Sequence, residues 1–171
     1  MMLSKTELKE IAKREKRRVA FHEAAHAAVC ACFGGCGRAE MWQNTAENVK
    51  NGEKAWLGRY CMFAEPGTVT VSAEMLAIGC MPAPLNWTVL LGLAGLVAEH
   101  IAAGTIDPEE IGVEIDCTIS MEEASQTDMD LMGATWGISD VAEVTQLLRE
   151  RWCEVELLAT SLMAYPYDYR K

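Results

Sequence analysis

The first 33 residues of the chain contain neither glycine nor proline, and they end at the pair Gly34-Gly35. Glycine and proline are the residues that most often interrupt a helix, so their absence permits one long helix here. Ser4, followed three residues later by Glu7, forms the capping box that commonly begins a helix. Because glycine is common just beyond helix ends, we predict a helix that starts near Ser4 or Thr6 and ends at the glycine pair.

Five residues in the second half of this predicted helix read His-Glu-Ala-Ala-His, from His22 to His26. Four residues make slightly more than one helical turn, so both imidazoles lie on one face and can reach one metal ion. Glu23 projects about 100° away, yet it remains near enough to contact a water at that metal. This pattern is typical of zinc proteases. We therefore interpret His22 and His26 as zinc ligands and Glu23 as the general base.

The composition fits a single folded domain over residues 1–171. Apolar residues make up 50% of the chain and charged residues 23%, which is ordinary globular usage. The net charge of −10 argues against nucleic acid as the main partner. The first 18 residues nevertheless hold seven Lys or Arg against three Glu. We interpret residues 1–18 as a basic helical lead-in with a solvated charged face, and a docking surface for an acidic partner or a membrane is the alternative.

The cysteines favour a reducing compartment. There are seven, an odd number, and no secretory signal precedes them, so we expect a cytoplasmic location. Cys30, Cys32 and Cys36 could form a second metal or redox site. They lack the paired C-x-x-C spacing of common zinc modules, and we interpret them as small thiols of the core.

Residues 75–98 carry no charged side chain, which raises the question of a membrane span. Two prolines and an asparagine interrupt the stretch, and its continuous apolar part, Trp87–Ala98, is too short to cross about 30 Å of hydrocarbon. We predict no transmembrane segment. Instead we expect a buried core helix over Trp87–Ala103, closed by Gly104.

The remaining elements follow from local patterns of apolar, polar and turn-forming residues. We predict, in chain order, a strand pair at Arg38–Gln43 and Ala55–Phe63 joined by a polar turn, an extended stretch at Thr68–Ser72, an acidic loop at Thr105–Thr118, a helix that begins within Met121–Asp130 and ends near Trp136-Gly137, and a C-terminal helix over 139–165. Asp140 with Glu143 gives the last helix its capping signal. The predicted fold class is α+β, mainly α, with a small β-sheet.

A catalytic zinc normally has three protein ligands, so the two histidines need a third. Cys30 continues the four-residue spacing, but it lies about 6 Å farther along a straight helix, beyond the reach of its side chain. His100, Asp128 and Asp130 remain as candidates. A lone histidine on a buried helix is commonly a core residue, and aspartates near a helix start commonly cap amide groups. The residues alone leave these three candidates open.

Four segments follow one another in the order found in a known protein family. They are Glu15–Val29 with the pentad, Trp56–Tyr60 with its Leu-Gly pair, Leu93–His100 followed by Gly104, and Asp130–Thr135. Together they resemble the peptidase domain of FtsH-type ATP-dependent zinc proteases over roughly residues 15–137. That family has His-Glu-Ala-Gly-His, a Leu-Gly strand near the active site, a Gly-Gly-Arg-x-Ala-Glu-Glu helix and an Asp-x-x-x-Ala-Thr segment.

The resemblance implies a helical zinc-peptidase domain with its small sheet near the active-site helix. It also implies that Asp130 is the third zinc ligand, because the family's ligand is the first residue of that last segment; Asp128 is the alternative. Three positions depart from the family pattern: Ala25 replaces a glycine, and Leu96 and His100 replace an arginine and a glutamate. The resemblance does not extend to an ATPase module.

We therefore predict a zinc-dependent metallopeptidase that hydrolyses flexible or unfolded polypeptides, with Glu23 taking the proton of the attacking water. An ATPase or another unfolding protein is the partner that we expect to act in trans. The alternative is a zinc-containing binding or adaptor module of the same fold that cleaves nothing. A further alternative is an interaction protein without metal.

Overall fold

Helices make up most of this computed structural model, which describes residues 5–68 and 70–167. The elements are α1 (Lys5–Cys32), β1 (Cys36–Gln43), α2 (Ala46–Lys50), β2 (Trp56–Ala64), a short 3-10 helix (Pro66–Thr68), α3 (Ala73–Ala77), α4 (Trp87–Ala103), α5 (Pro108–Ser120), α6 (Gln126–Met132), α7 (Ile138–Glu150) and α8 (Trp152–Ala164). The predicted class, α+β and mainly α, is confirmed.

Helix α4 lies at the centre of the core. Its residues from Leu90 to Ala98 are all buried, because it is apolar around its whole circumference and can be covered on every side. α1 runs antiparallel to it: the Arg17 guanidinium donates to the carbonyl of Ala102 at 3.3 Å, while His26 lies beside Leu91. Within the described residues, no single helix is long and apolar enough to cross a membrane. α4 and α5 would pass that test together, but the chain bends by 117° between them.

The sheet consists of β1 and β2 in antiparallel register, with Met41 opposite Gly58. This confirms the predicted strand pair, and the polar turn between the strands contains the short helix α2. Residues that lie directly opposite each other in an antiparallel pair point to the same face of the sheet, so Met41 and Gly58 share a face. Val19 of α1 packs against Gly58 from that side, and Met41 is fully buried. The sheet therefore brings β2 alongside the helix that carries the pentad.

The region predicted as an acidic loop, Thr105–Thr118, is largely helix α5, so that prediction is wrong. Asp107 is the N-cap, and its carboxylate accepts a hydrogen bond from the backbone N–H of Glu109 at 3.1 Å. Pro108 occupies the first turn, where the missing N–H is not needed. The Asp-Pro pair begins a helix here and does not mark a loop.

Two further predictions differ from the structure. The C-terminal helix expected over 139–165 is divided at Arg151, whose guanidinium donates to the carbonyl of Gly79 at 2.7 Å. In the stretch Thr68–Ser72, Thr68 ends the 3-10 helix, residues 70–72 form no strand, and Val69 lies outside the described residues. Ser4, one of the two predicted helix starts, also lies outside them.

Candidate metal centre

The two histidines of the pentad lie side by side on α1, as the helical spacing predicts. Their ring centroids are 4.8 Å apart, and the planes are inclined at 70°. The His26 side chain is almost fully buried, and that of His22 is 13% exposed. Both Nε2 atoms contact the same carboxylate, that of Asp128.

The Asp128 carboxylate faces both Nε2 atoms. Its Oδ2 lies 3.1 Å from His22 Nε2, and its Oδ1 lies 3.2 Å from His26 Nε2. The ligand atoms of His22, His26 and Asp128 all lie within 4.8 Å of one another, so the three side chains form a group that could bind one metal ion. The carboxylate is contributed by α6, more than a hundred residues further along the chain.

Asp130, the predicted third ligand, does not join this group. Its carboxylate accepts a hydrogen bond from the Gln126 side chain at 2.8 Å on the exposed side of α6. The Ser125 hydroxyl caps the N–H of Asp128, which places Asp128 in the first turn of α6. Two residues correspond to about 200° of helix rotation, so Asp130 points away when Asp128 faces the histidines. We therefore correct the prediction: Asp128, the alternative, is the candidate third ligand.

Helix α4 orients both imidazoles through their other ring nitrogens. His26 Nδ1 donates to the backbone carbonyl of Leu91 at 2.9 Å, and His22 Nδ1 donates to the carboxylate of Glu99 at 2.8 Å. Such bonds fix the orientation of metal-binding histidines and leave the Nε2 atoms directed at the metal position. Arg18 lies 3.6 Å from the second oxygen of Glu99. Neither Leu91 nor Glu99 is predicted as a site residue from the sequence.

Two glycines make room for the site. A Cβ atom added at Gly95 of α4 would overlap the ring of His22 at Nε2 and at both ring carbons that flank it. A Cβ at Gly58 of β2 would lie 2.6 Å from Cγ and Oε1 of Glu23. Both positions therefore require a residue without a side chain so that His22 and Glu23 can rest against the neighbouring backbone.

Glu23 lies beside the three candidate ligands and is 6% exposed. Burial raises the pKa of Glu23, while the nearby His22 and His26 lower it. A carboxyl group with a raised pKa is suited to accept and return a proton near neutral pH. Glu23 lines the same cavity as His22, His26 and Asp128.

The charge balance of the group favours a cation. Burial opposes a charge on His22, but hydrogen bonds to Asp128 and Glu99 raise the pKa of this imidazole well above its usual value. Burial likewise opposes the charge on Asp128, yet hydrogen bonds from both histidines lower the pKa of that carboxyl well below its usual range. Carboxylates therefore surround the imidazoles with negative charge that a metal cation would compensate.

A cavity of about 340 Å³ opens onto the site. One wall is β2 at Gly58–Tyr60 and Met62, and the other is α6 with the residues just before it. Leu91 closes the cavity on the side of α4. The segments that lead into the two walls are joined, because the Lys54 ammonium, just before β2, donates to the carbonyl of Glu123, just before α6, at 3.4 Å.

The other candidate residues lie outside the metal group. His100 is half-buried near the end of α4 and does not belong to the group found among the described residues. Cys30 and Cys32 are buried, and Cys36 is exposed, each with a free thiol. Burial raises the pKa of Cys32 to about 11. The expectation of core thiols is therefore confirmed for Cys30 and Cys32, but it is wrong for the exposed Cys36.

Comparison of the chain with protein-family models and with curated proteins found no match. The resemblance to FtsH-type peptidase domains therefore stays a prediction that depends on the motifs alone.

Proposed function

We propose that the protein is a zinc-dependent metallopeptidase that hydrolyses peptide bonds in flexible or unfolded polypeptides. The observation that carries this proposal is the convergence of His22, His26 and Asp128 from two helices, with Glu23 beside them at the wall of a cavity. Two imidazoles and one carboxylate form a ligand set known from catalytic zinc sites, in which the fourth position remains free for water or substrate.

The residues present fit zinc by their donor chemistry. Nitrogen and carboxylate oxygen are ligands that zinc accepts, and both imidazoles are held by hydrogen bonds at their far nitrogens, as metal-binding histidines generally are. When bound, zinc would lower the pKa of a water molecule and polarise the carbonyl group of the scissile bond. His22, His26 and Asp128 would hold the ion.

Glu23 would move the proton in this reaction. Its carboxylate accepts a proton from the attacking water, and its raised pKa lets it hold that proton until the scissile C–N bond begins to break. It then donates the proton to the leaving nitrogen. Gly58 keeps the carboxylate in place, because the β2 backbone packs directly against Cγ and Oε1 of Glu23.

An extended polypeptide fits the wall formed by β2. Within the described residues this strand pairs only with β1, and Gly58–Tyr60 and Met62 line the cavity. A substrate strand could pair with this edge through backbone hydrogen bonds, with little dependence on its sequence. Only a segment that is not already folded can do so, and we therefore expect unfolded substrates, supplied by an ATPase partner or by their own flexibility.

Zinc content and proteolysis together test the proposal. We expect about one zinc per chain, cleavage of an unfolded casein by the zinc-loaded protein, and loss of cleavage in Glu23→Gln with the metal retained. Glu10→Gln, an exposed glutamate on the same helix, is the matched control and should cleave like the wild type.

Two results would contradict the proposal in different ways. If the wild type binds zinc but neither it nor Glu23→Gln cleaves any of a broad set of unfolded substrates, the protein is a zinc-containing binding module. If the wild type binds no metal, the ligand assignment itself is wrong.

A further inference from the structure

Helices α4 and α6 touch without an intervening side chain at Gly92. A Cβ atom added there would lie 2.7 Å from Cγ and from the backbone nitrogen of Met132, and 2.8 Å from the carbonyl oxygen of Asp128. Real Cβ atoms do not approach other atoms this closely. The separation of the two helices is therefore set by the absence of a side chain at Gly92.

The same face of α4 also holds the other two candidate ligands. Leu91 accepts the hydrogen bond from His26, Gly95 makes room for the ring of His22, and Glu99 accepts from that ring. Positions 91, 95 and 99 repeat every four residues and lie along one side of the helix. Gly92 extends this side toward α6, so that a single helix contacts every element of the metal group.

We propose that Gly92 is a positioning residue for the metal centre: it lets α6 approach until the Asp128 carboxylate lies between the two imidazoles. This inference rests on the proposed metal binding. The carboxylate and the imidazoles come from different helices, so a displacement of α6 changes the distances from Asp128 to His22 and His26 directly. Zinc accepts its ligands within only about 0.2 Å of their usual distances.

The Gly92→Ala variant tests the proposal. Its methyl group must push α6 away, because two of the three close atoms belong to the backbone and cannot rotate aside. We expect the zinc affinity to fall by about 10- to 100-fold, the range seen when groups that orient metal ligands are lost. The visible absorption of bound cobalt(II), which reports the arrangement of its ligands, should change as well.

Gly112→Ala is the matched control. Gly112 is also a buried glycine inside a helix, α5, and it lies away from the metal group. A Cβ atom added there would meet only the end of the Ile138 side chain, at 3.1 Å. We expect zinc affinity and the cobalt spectrum to remain those of the wild type. A purely structural role for Gly92 would lower the thermal midpoint of the metal-free protein and leave the affinity of the folded protein unchanged, which would overturn the proposal.

The double variant Gly92→Ala/Met132→Ala separates backbone from side-chain crowding. Removing the Met132 side chain relieves the contact with Cγ, but the new methyl group still meets the Met132 nitrogen and the Asp128 carbonyl. We expect the double variant to bind zinc more weakly than Met132→Ala alone, by about the same factor by which Gly92→Ala weakens zinc binding in the wild type. Recovery would show that only a side chain was crowded, and the proposal would be wrong.

Crystal structures of the wild type with and without zinc test the proposal even if Gly92→Ala does not fold. We expect the distance from the Gly92 Cα to the Asp128 carbonyl to agree within about 0.5 Å between them, the precision that a preorganised site requires. A larger movement of α6 on metal binding would contradict the inference alone. Absence of zinc binding by the wild type would instead reject the proposed function, and the inference with it.

Discussion

The two halves of α1 differ in almost everything except their backbone conformation. Between residues 6 and 14, every side chain except Ala12 is exposed, and seven of the 15 Lys and Arg residues of the chain lie in the lead-in. From Ala20 onward, most side chains are buried, among them Phe21, Ala24 and Ala25. One uninterrupted helix thus passes from solvent into the core.

This difference shows that two separate causes make the helix. The lead-in is rich in Lys, Arg and Glu, which favour helix by intrinsic propensity. The second half is fixed by its contacts with α4, α8 and the sheet, as tertiary packing fixes most protein helices. Only packed neighbours can hold a side chain in one orientation, and so the buried half alone can carry a metal centre.

The largest expected effect comes from Asp128, the candidate ligand that α6 adds to the two histidines on the buried half of α1. Asp128→Asn removes the carboxylate between the two imidazoles, and we expect the purified protein to lose its zinc on dialysis. Asp130→Asn, two residues further along the same helix, should keep one zinc per chain. Metal analysis of both variants measures this, and the opposite pattern would restore Asp130 as the ligand.

Truncation of a core side chain in the buried half should have the next largest effect. Phe21 is 5% exposed and stacks on Trp152 of α8, with ring centroids 5.4 Å apart. We expect Phe21→Ala to lower the free energy of unfolding by about 3–5 kcal/mol. Urea denaturation followed by circular dichroism measures this value. A loss below about 1 kcal/mol would show that α1 and α8 do not pack as described.

The boundary between the halves allows a sharper test. Glu99→Gln removes the charge that orients His22, and we expect a 10- to 100-fold loss of zinc affinity, equal to about 1.4–2.7 kcal/mol. Arg18, at the end of the lead-in, lies 3.6 Å from the same carboxylate, but its side chain is partly exposed. Arg18→Gln should therefore change the affinity less than about threefold, since exposed ion pairs contribute little. Equal losses in competition titrations would contradict this distinction.

The smallest effect is expected in the lead-in itself. Leu8 is 52% exposed, and its replacement by alanine removes little buried area. We expect Leu8→Ala to change the free energy of unfolding by less than about 0.5 kcal/mol, as surface substitutions usually do. A loss comparable with that of Phe21→Ala would mean that a partner, such as a second copy, covers the lead-in in solution.

The parts of the molecule that the sequence predicts well depend on strong local signals. The bounds of α4, Trp87–Ala103, agree with the prediction because a long apolar run ends at Gly104, which adopts the left-handed conformation at φ 103°. The pairing of His22 with His26 needs only the helical period. Neither feature depends on distant parts of the chain.

The failed predictions depended on where a helix begins or on a distant contact. Choosing between Asp128 and Asp130 required the start of α6, and the sequence offers a signal for it, since Ser125 is a good N-cap three residues before Asp128. The break at Arg151 has no comparable local signal, because its guanidinium bonds to Gly79, 72 residues earlier. The contact of Gly92 with α6 likewise becomes visible only in the folded chain.

His22 and Asp128 are separated by 106 positions in the sequence, although their side chains lie 3.1 Å apart. An ion bound by both would close a very long loop, and the unfolded chain could not reproduce that coordination. Its binding free energy would therefore add to the stability of the fold, by about 1.4 kcal/mol for each tenfold rise of free ion above the dissociation constant. The supply of metal in the surroundings would then help to determine how much of the protein is folded.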